Sequence, residues 1–223
     1  MPRLREALKR GSEQALRPVL RHRQMKYPSF PAEAHRAISG RTDYFRYATL
    51  GLSVQRVEDE EVPGAFAEVG VYRGVTSAFV HSLAPGRRLY LFDTFAGFDA
   101  ERDPTARGDA RFRDTSVDAV RRRVGASDRV VIRPGYVPDT FAGLEEEAFA
   151  WVLLDLDLHA PTVASLEFFY PRLTTGAYLI VHDYNSPECD WACKRALDQF
   201  LSDKPEHLID IGDVWGSALV RKL

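Results

Sequence analysis

Disulfides, membrane spans and an excess of charge suited to nucleic acid are all missing from this chain. Two cysteines in 223 residues, Cys189 and Cys193, are too few for a disulfide framework. No apolar run approaches the roughly 20 residues that cross a bilayer, and the first residues lack the apolar stretch of a signal peptide. A soluble, cytoplasmic protein is expected. Thirty Lys and Arg against 32 Asp and Glu leave a net charge of −2, so no global basic field calls for nucleic acid. No repeat or low-complexity tract is visible. What is present is an ordinary hydrophobic share of 45%, enough for one sizeable core.

The near-zero charge conceals an asymmetry. Residues 1–26 carry eight Lys and Arg against Glu6 and Glu13, in short helical stretches interrupted at Gly11 and Pro18. Pro28 and Pro31, beside Tyr27 and Phe30, mark a linker. The expected division is a basic N-terminal helical arm and linker over 1–41 and a main domain over 42–223. The arm reads either as a solvated amphipathic segment or as a contact to an anionic surface, an acidic partner or a second subunit. A homodimer is the expected assembly. Residues 42–57 repeat apolar side chains at helical spacing, as a core stripe or a pocket wall.

The organising stretch is FAEVGVYRGVTSAFV, residues 66–80. It reads as a strand over Ala65–Val69, a turn holding Gly70 and Gly74, and a helix opening at Thr76 and Ser77. Glycine lets the backbone turn tightly and approach a ligand. The free N–H groups of a helix start seat an anionic group. Glu68 adds a carboxylate at the end of the strand, where it can meet a cation. A second close glycine is lacking, because Tyr72 stands where a dinucleotide turn would approach its phosphates. A carboxylate beside free N–H groups suits an amino-acid zwitterion, which favours the methionine end of S-adenosylmethionine over a pyrophosphate.

Strands and helices then alternate. RLYLF, residues 88–92, ends in Asp93 and Thr94, and an acid at this distance from the glycine turn is placed to take ribose hydroxyls. Residues 99–113 read as a mobile, charged lid, and residues 112–124 as a helix capped near Asp114 or Thr115. A strand over 129–132 leads to Pro134-Gly135-Tyr136, a tight turn suited to an adenine edge. A connecting helix is expected over 139–149. Trp151–Leu154 runs into Asp155-Leu156-Asp157, and Ala177–Val181 into His182-Asp183. Helices over 161–170 and 189–201 and a terminal hairpin complete an α/β chain with an antiparallel last strand. Ligands of such sheets bind at the carboxyl ends of the strands. Carboxylates gathered there repel unless a cation or proton intervenes, and a hard divalent ion with oxygen ligands answers that need.

Together, PGAFAEVGVYRGVTS, LYLFDTFAGF, GYVPDTF, LLDLDLHAPTVASLEFFYPRL and GAYLIVHDYNSPECDWACKRALDQF resemble the metal-dependent sugar O-methyltransferases of the macrocin, mycinamicin and demethyl-novobiocin type. The resemblance runs from about residue 42 to residue 220. It implies a Rossmann-like class I methyltransferase fold, a seven-stranded mostly parallel sheet with helices on both faces. It implies S-adenosylmethionine held by Glu68, Gly70, Tyr72, Gly74, Thr76, Asp93, Thr94 and Gly135, and a sugar or other vicinal-diol acceptor. Asp155 matches a magnesium ligand of the family and Asp157 its proposed general base. The family's Asp-Asp-Tyr is His182-Asp183-Tyr184 here, so Asp183 matches as a ligand and His182 departs. A divalent ion at Asp155, His182 and Asp183, magnesium first, is the expectation. A softer metal, a weaker one, or none with His182 as base remain open. Two other functions compete: a non-catalytic cofactor-binding or assembly protein, and a nicotinamide-dependent oxidoreductase, which Tyr72 and the acidic cluster disfavour.

Overall fold

The computed structural model describes residues 29–223. Seven strands, β1 (Ala65–Val69), β2 (Leu89–Asp93), β3 (Val130–Pro134), β4 (Phe149–Leu154), β5 (Leu173–Val181), β6 (Leu208–Ile211) and β7 (Ser217–Arg221), form one sheet in the order β3-β2-β1-β4-β5-β7-β6. Strands β1 to β5 pair in parallel, and β7 runs antiparallel to both β5 and β6. The helices among the described residues are α1 (Ala32–Ala37), α2 (Tyr44–Asp59), α3 (Val75–Leu83), α4 (Val117–Val124), α5 (His159–Phe169) and α6 (Ala192–Leu201). This is the expected α/β architecture. None of these helices is long and apolar enough to cross a membrane.

The central strands read as continuous apolar runs because both faces are covered. Every residue of β1 and β4 is buried. Their alternation sends Phe66, Trp151 and Leu153 towards α1 to α4, where Phe30, Leu50, Val54 and Phe79 meet them. Ala67, Val69, Val152 and Leu154 face the other way, onto Leu166 and Phe169 of α5 and Leu197 of α6. The buried indole of Trp151 donates to Ser53 Oγ at 2.8 Å, which meets the polar need of the largest core side chain.

Register positions the site. Val69 pairs with Leu154, and Leu154 with Val181, so Gly70, Asp155 and His182 follow level with one another on three adjacent strands. The backbone continues the ladder there: Asp155 N–H donates to Val69 O at 2.8 Å and His182 N–H to Leu154 O at 2.9 Å. Strand order reverses between β1 and β4, where a doubly wound sheet leaves its crevice.

Several local expectations are corrected. Residues 139–149 form only a short 3₁₀ turn, Asp139–Phe141, because Gly143 turns the chain with φ +83° and Phe141 is drawn in against Phe92, Phe168 and Phe169. Helix α4 starts at Val117 with Ser116 as its cap, its Oγ accepting from Ala119 N–H. Asp114 and Thr115 are taken up elsewhere, on Tyr72 and Arg73. The 189–201 helix is split: a 3₁₀ turn, Pro187–Cys189, precedes α6, and Asp190 and Trp191 break the two apart with positive φ. Residues 99–113, read as a lid, hold a 3₁₀ turn at Pro104–Ala106, and Arg102 there pairs with Asp139 at 2.5 Å. The basic stretch 1–26 lies outside the described residues. Phe30, Ala34 and Ile38 of the linker are buried in the main core, with Phe30 edge-on to Phe79.

Candidate active site

A cavity of about 450 Å³ opens at the carboxyl ends of β1, β2, β4 and β5. That volume is ordinary for a small-molecule site. All the candidate residues named from the sequence line it except Gly74. Gly74 is the N-cap of α3, with φ +68°, and backs onto Val120.

The glycine turn is held from two sides. Asp93 Oδ2 accepts from Val71 N–H (2.8 Å) and Tyr72 N–H (2.7 Å), and Oδ1 accepts from Phe95 N–H (2.7 Å). The acid read as a ribose ligand thus also fastens the turn to the end of β2. From the other side, Tyr72 OH donates to Asp114 at 2.6 Å, Arg73 pairs with Asp114, and Thr115 Oγ1 donates to the Tyr72 carbonyl. Thr94 Oγ1 donates to Gly97 O at 2.6 Å and shapes the next turn. Gly135 N–H donates to Asp93 O at 2.9 Å, which brings the β3 turn beside β2.

Gly70 is demanded by packing. Its φ is +93°, and a Cβ there would stand 1.9 Å from the Asp155 carbonyl oxygen. Backbone cannot give way as a side-chain tip would. Gly70→Ala is expected to lower stability by about 2 kcal/mol or more through strained φ and overpacking. Urea unfolding against the unaltered chain measures it; an unchanged midpoint would show that the β1 and β4 ends are not packed this way.

The chemistry sits on the ends of β4 and β5. Asp157 and Asp183 adopt positive φ (+60° and +56°), a conformation that turns each away from its strand and that aspartate tolerates better than most residues. His182 is buried, and its Nδ1 lies 2.8 Å from Asp183 Oδ2 and 3.0 Å from Asp155 Oδ1. Arg46, in the first turn of α2, places Nη2 2.6 Å from Asp155 Oδ2. Asp43 caps that turn by accepting from Arg46 N–H at 3.1 Å. Arg111, stacked on Phe98 and Phe112, reaches Asp157 Oδ2 at 3.4 Å.

These contacts set the charges. Burial works against the His182 cation, but Asp155 beside it and the hydrogen bonds that His182 donates to both aspartates hold its pKa at about 10. Burial also opposes the Asp155 charge, yet His182 and Arg46 together keep its carboxyl well below the usual range. Asp157 is pushed well above that range, by burial first and then by its hydrogen bond to Asp183. Burial raises Glu68 to about 8 against the 2.5 Å bond donated by Ser77 Oγ.

Asp155, His182 and Asp183 offer ligand atoms within 4.8 Å of one another, a spacing that a divalent ion spans. Their hydrogen bonding does not fit one. Both Asp155 oxygens face N–H donors, and His182 turns Nδ1 into two carboxylates as a donor, leaving no lone pair on that side. The two cysteines form no further donor set: Cys189 Sγ meets the Asp183 and Ser186 carbonyls.

Arg46 and Arg111 are site residues that the sequence alone did not yield. An arginine in an amphipathic helix or a charged loop reads as solvated. The signal that pointed to a partner was the surplus of acids at the strand ends.

A family model described as macrocin-O-methyltransferase (TylF) matches residues 6–216. The chain is 29% identical over 206 residues to mycinamicin III 3''-O-methyltransferase of Micromonospora griseorubida, covering 83% of this chain and 80% of that protein. It is 29% identical over 204 residues to a Streptomyces olivaceus enzyme, 8-demethyl-8-(2,3-dimethoxy-alpha-L-rhamnosyl)-tetracenomycin-C 4'-O-methyltransferase, covering 83% and 77%. Among solved structures, the O-methyltransferase NovP superposes with a TM-score of 0.69 at 24% identity, over 80% of each chain.

Proposed function

This chain belongs to the macrocin-O-methyltransferase (TylF) family and is an S-adenosylmethionine-dependent O-methyltransferase, and we propose that it methylates a hydroxyl of a sugar carried by a natural product. The observation that supports this reading is one cavity flanked by two sets of groups. Glu68, the Gly70–Thr76 turn and Asp93 lie on one side, and Asp157, His182 and Asp183 on the other. The relatives named for rhamnosyl-tetracenomycin and mycinamicin III methylation make a glycosidic acceptor the first to try.

In the proposed reaction the acceptor oxygen attacks the sulfonium methyl carbon in line. The C–O bond forms as the C–S bond breaks, and sulfur keeps the electron pair as the thioether of S-adenosylhomocysteine. Asp157 takes the hydroxyl proton. Of the two bases considered from the sequence, Asp157 is preferred, because His182 Nδ1 is engaged by two carboxylates and has no lone pair to offer the hydroxyl proton. His182 Nε2, buried with no partner among the described residues, is left to orient a bound oxygen. Holding both reactants in attack geometry supplies much of the remaining acceleration. The 97–113 segment, anchored through Arg111, covers this end of the cavity and excludes water. Because the hydrogen bonding of Asp155 and His182 does not fit a metal, no step here passes through one.

On the cofactor side, Glu68 is proposed to meet the amino-acid ammonium. A carboxyl held near 8 is mostly protonated at pH 7, and a cation beside it favours ionisation. Binding of S-adenosylhomocysteine at pH 7 is therefore expected to release close to one proton. Calorimetry in buffers of differing ionisation enthalpy reads that number, which should fall towards zero by about pH 9 and in Glu68→Gln. Absent proton release at pH 7 would place the ammonium elsewhere. The function itself is tested by transfer of a labelled methyl group from S-adenosylmethionine to a panel of glycosides and nucleotide sugars. Tight cofactor binding with no transfer to any of them would favour the non-catalytic alternative.

A further inference from the structure

Three acids converge on the ends of β4 and β5, and the protein itself supplies the opposing charge. Arg46 comes from α2, on the face of the sheet that also carries Glu68, and its guanidinium lies 2.6 Å from one Asp155 oxygen. The His182 ring bonds the other Asp155 oxygen and Asp183. Arg46 is largely buried, with 16% of its side chain exposed. A guanidinium cannot be discharged in a protein, so removing it from water requires a permanent anion at the same place. Each Asp155 oxygen thereby already accepts from a cationic or imidazole N–H donor on the side where a metal would stand between Asp155 and Asp183.

Building on the methyltransferase reading, we propose that the Arg46 guanidinium and the His182 Nδ1–H together hold the place of a divalent cation in this chain. Asp155 and Asp183 then bind no metal, and protein groups alone orient the acceptor. A fixed cation gives the same neutralisation of the carboxylates as an ion. It differs in offering no vacant ligand positions, so adjacent hydroxyls on the acceptor cease to be a requirement.

The proposal is tested without knowing the acceptor, by titrating Mn²⁺ into the metal-stripped protein while following heat and the electron paramagnetic resonance of free Mn²⁺. S-adenosylhomocysteine is titrated in parallel. The unaltered chain is expected to bind no Mn²⁺ up to millimolar concentration. The double variant Arg46→Gln/His182→Asp removes the guanidinium charge and the imidazole donor and leaves a cluster of carboxylates open to a cation. It is expected to gain saturable Mn²⁺ binding, with half-saturation at least tenfold below the millimolar limit up to which the unaltered chain binds none. Arg46→Lys keeps the charge and is expected to stay metal-free, which a merely structural role for Arg46 does not require. Saturable micromolar Mn²⁺ binding by the unaltered chain, abolished in Asp155→Asn, overturns the proposal. So does a double variant that retains cofactor binding but gains no metal. If the double variant fails to bind S-adenosylhomocysteine, the single His182→Asp variant, expected to bind Mn²⁺ more tightly than the unaltered chain, decides in its place. Failure of the unaltered chain to bind S-adenosylhomocysteine counts instead against the cofactor site, and is read independently of the metal titration.

Discussion

Asp157→Asn is expected to lower kcat for methyl transfer by about 10²- to 10⁴-fold, the range that a positioned general base contributes. S-adenosylhomocysteine should bind the variant within a few-fold of the unaltered chain. Asparagine keeps the shape of the side chain and a donor for Asp183, so the fold is preserved while the proton acceptor is lost. The pH profile gives a sharper signature. The Asp157 carboxyl is held above its ordinary range by burial and by Asp183, so at pH 7 most molecules carry the base in its inactive, protonated form. A base works deprotonated, and the deprotonated fraction grows as pH rises. The rate in the unaltered chain should climb through neutral pH and level off on the alkaline side, whereas the residual rate of Asp157→Asn should be flat over the same range. A flat profile in the unaltered chain would assign the proton to another acceptor.

Apolar runs and glycine punctuation were enough to place the strands, because a parallel sheet buries both faces and leaves β1 and β4 almost wholly apolar. The terminal antiparallel pair was legible from two short runs joined at Gly212-Asp213. The 139–149 stretch was misread as a helix. Its apolar residues have a helical look, but Phe141 is recruited to a ring cluster built by Phe92, Phe168 and Phe169, all distant in sequence. Tertiary packing overrode a weak local preference.

The acids of the site were legible because they end strands, and strand ends converge whatever the rest of the chain does. Their partners were not. Arg46 lies 109 residues from Asp155 and meets it only once α2 has packed across the sheet. Nor did spacing tell what Gly70 is for. Sequence assigned it to ligand approach, while the structure shows a backbone contact with Asp155, so the same glycine also couples the cofactor turn to the acidic cluster. Asp93, expected from the sequence to take ribose hydroxyls, likewise holds the turn through Val71 and Tyr72.

These contacts make Asp93→Ala a damaging substitution on the cofactor side. As a ribose ligand alone, Asp93 would contribute one or two hydrogen bonds to a bound nucleoside. Here its carboxylate also takes the N–H groups of Val71 and Tyr72, which set the turn, and that of Phe95, which sets the next one. Each bond to a charged acceptor contributes about 1.5–3 kcal/mol, and about 1.4 kcal/mol corresponds to tenfold in affinity. Loss of the two turn-setting bonds, with water replacing part of them, is expected to weaken S-adenosylhomocysteine binding by about 10²-fold or more. Tyr72 holds a positive φ of 51° without a glycine's freedom, so the freed turn has reason to relax. Asp93→Asn separates the two roles, because its amide oxygen still accepts from one side of the turn while its NH₂ group confronts the other. It should fall between the unaltered chain and Asp93→Ala. Calorimetric titration of the three proteins gives the order directly. Equal affinities for Asp93→Asn and the unaltered chain would mean that one oxygen suffices and that the turn is held mainly by Asp114 and Thr115 from the opposite side.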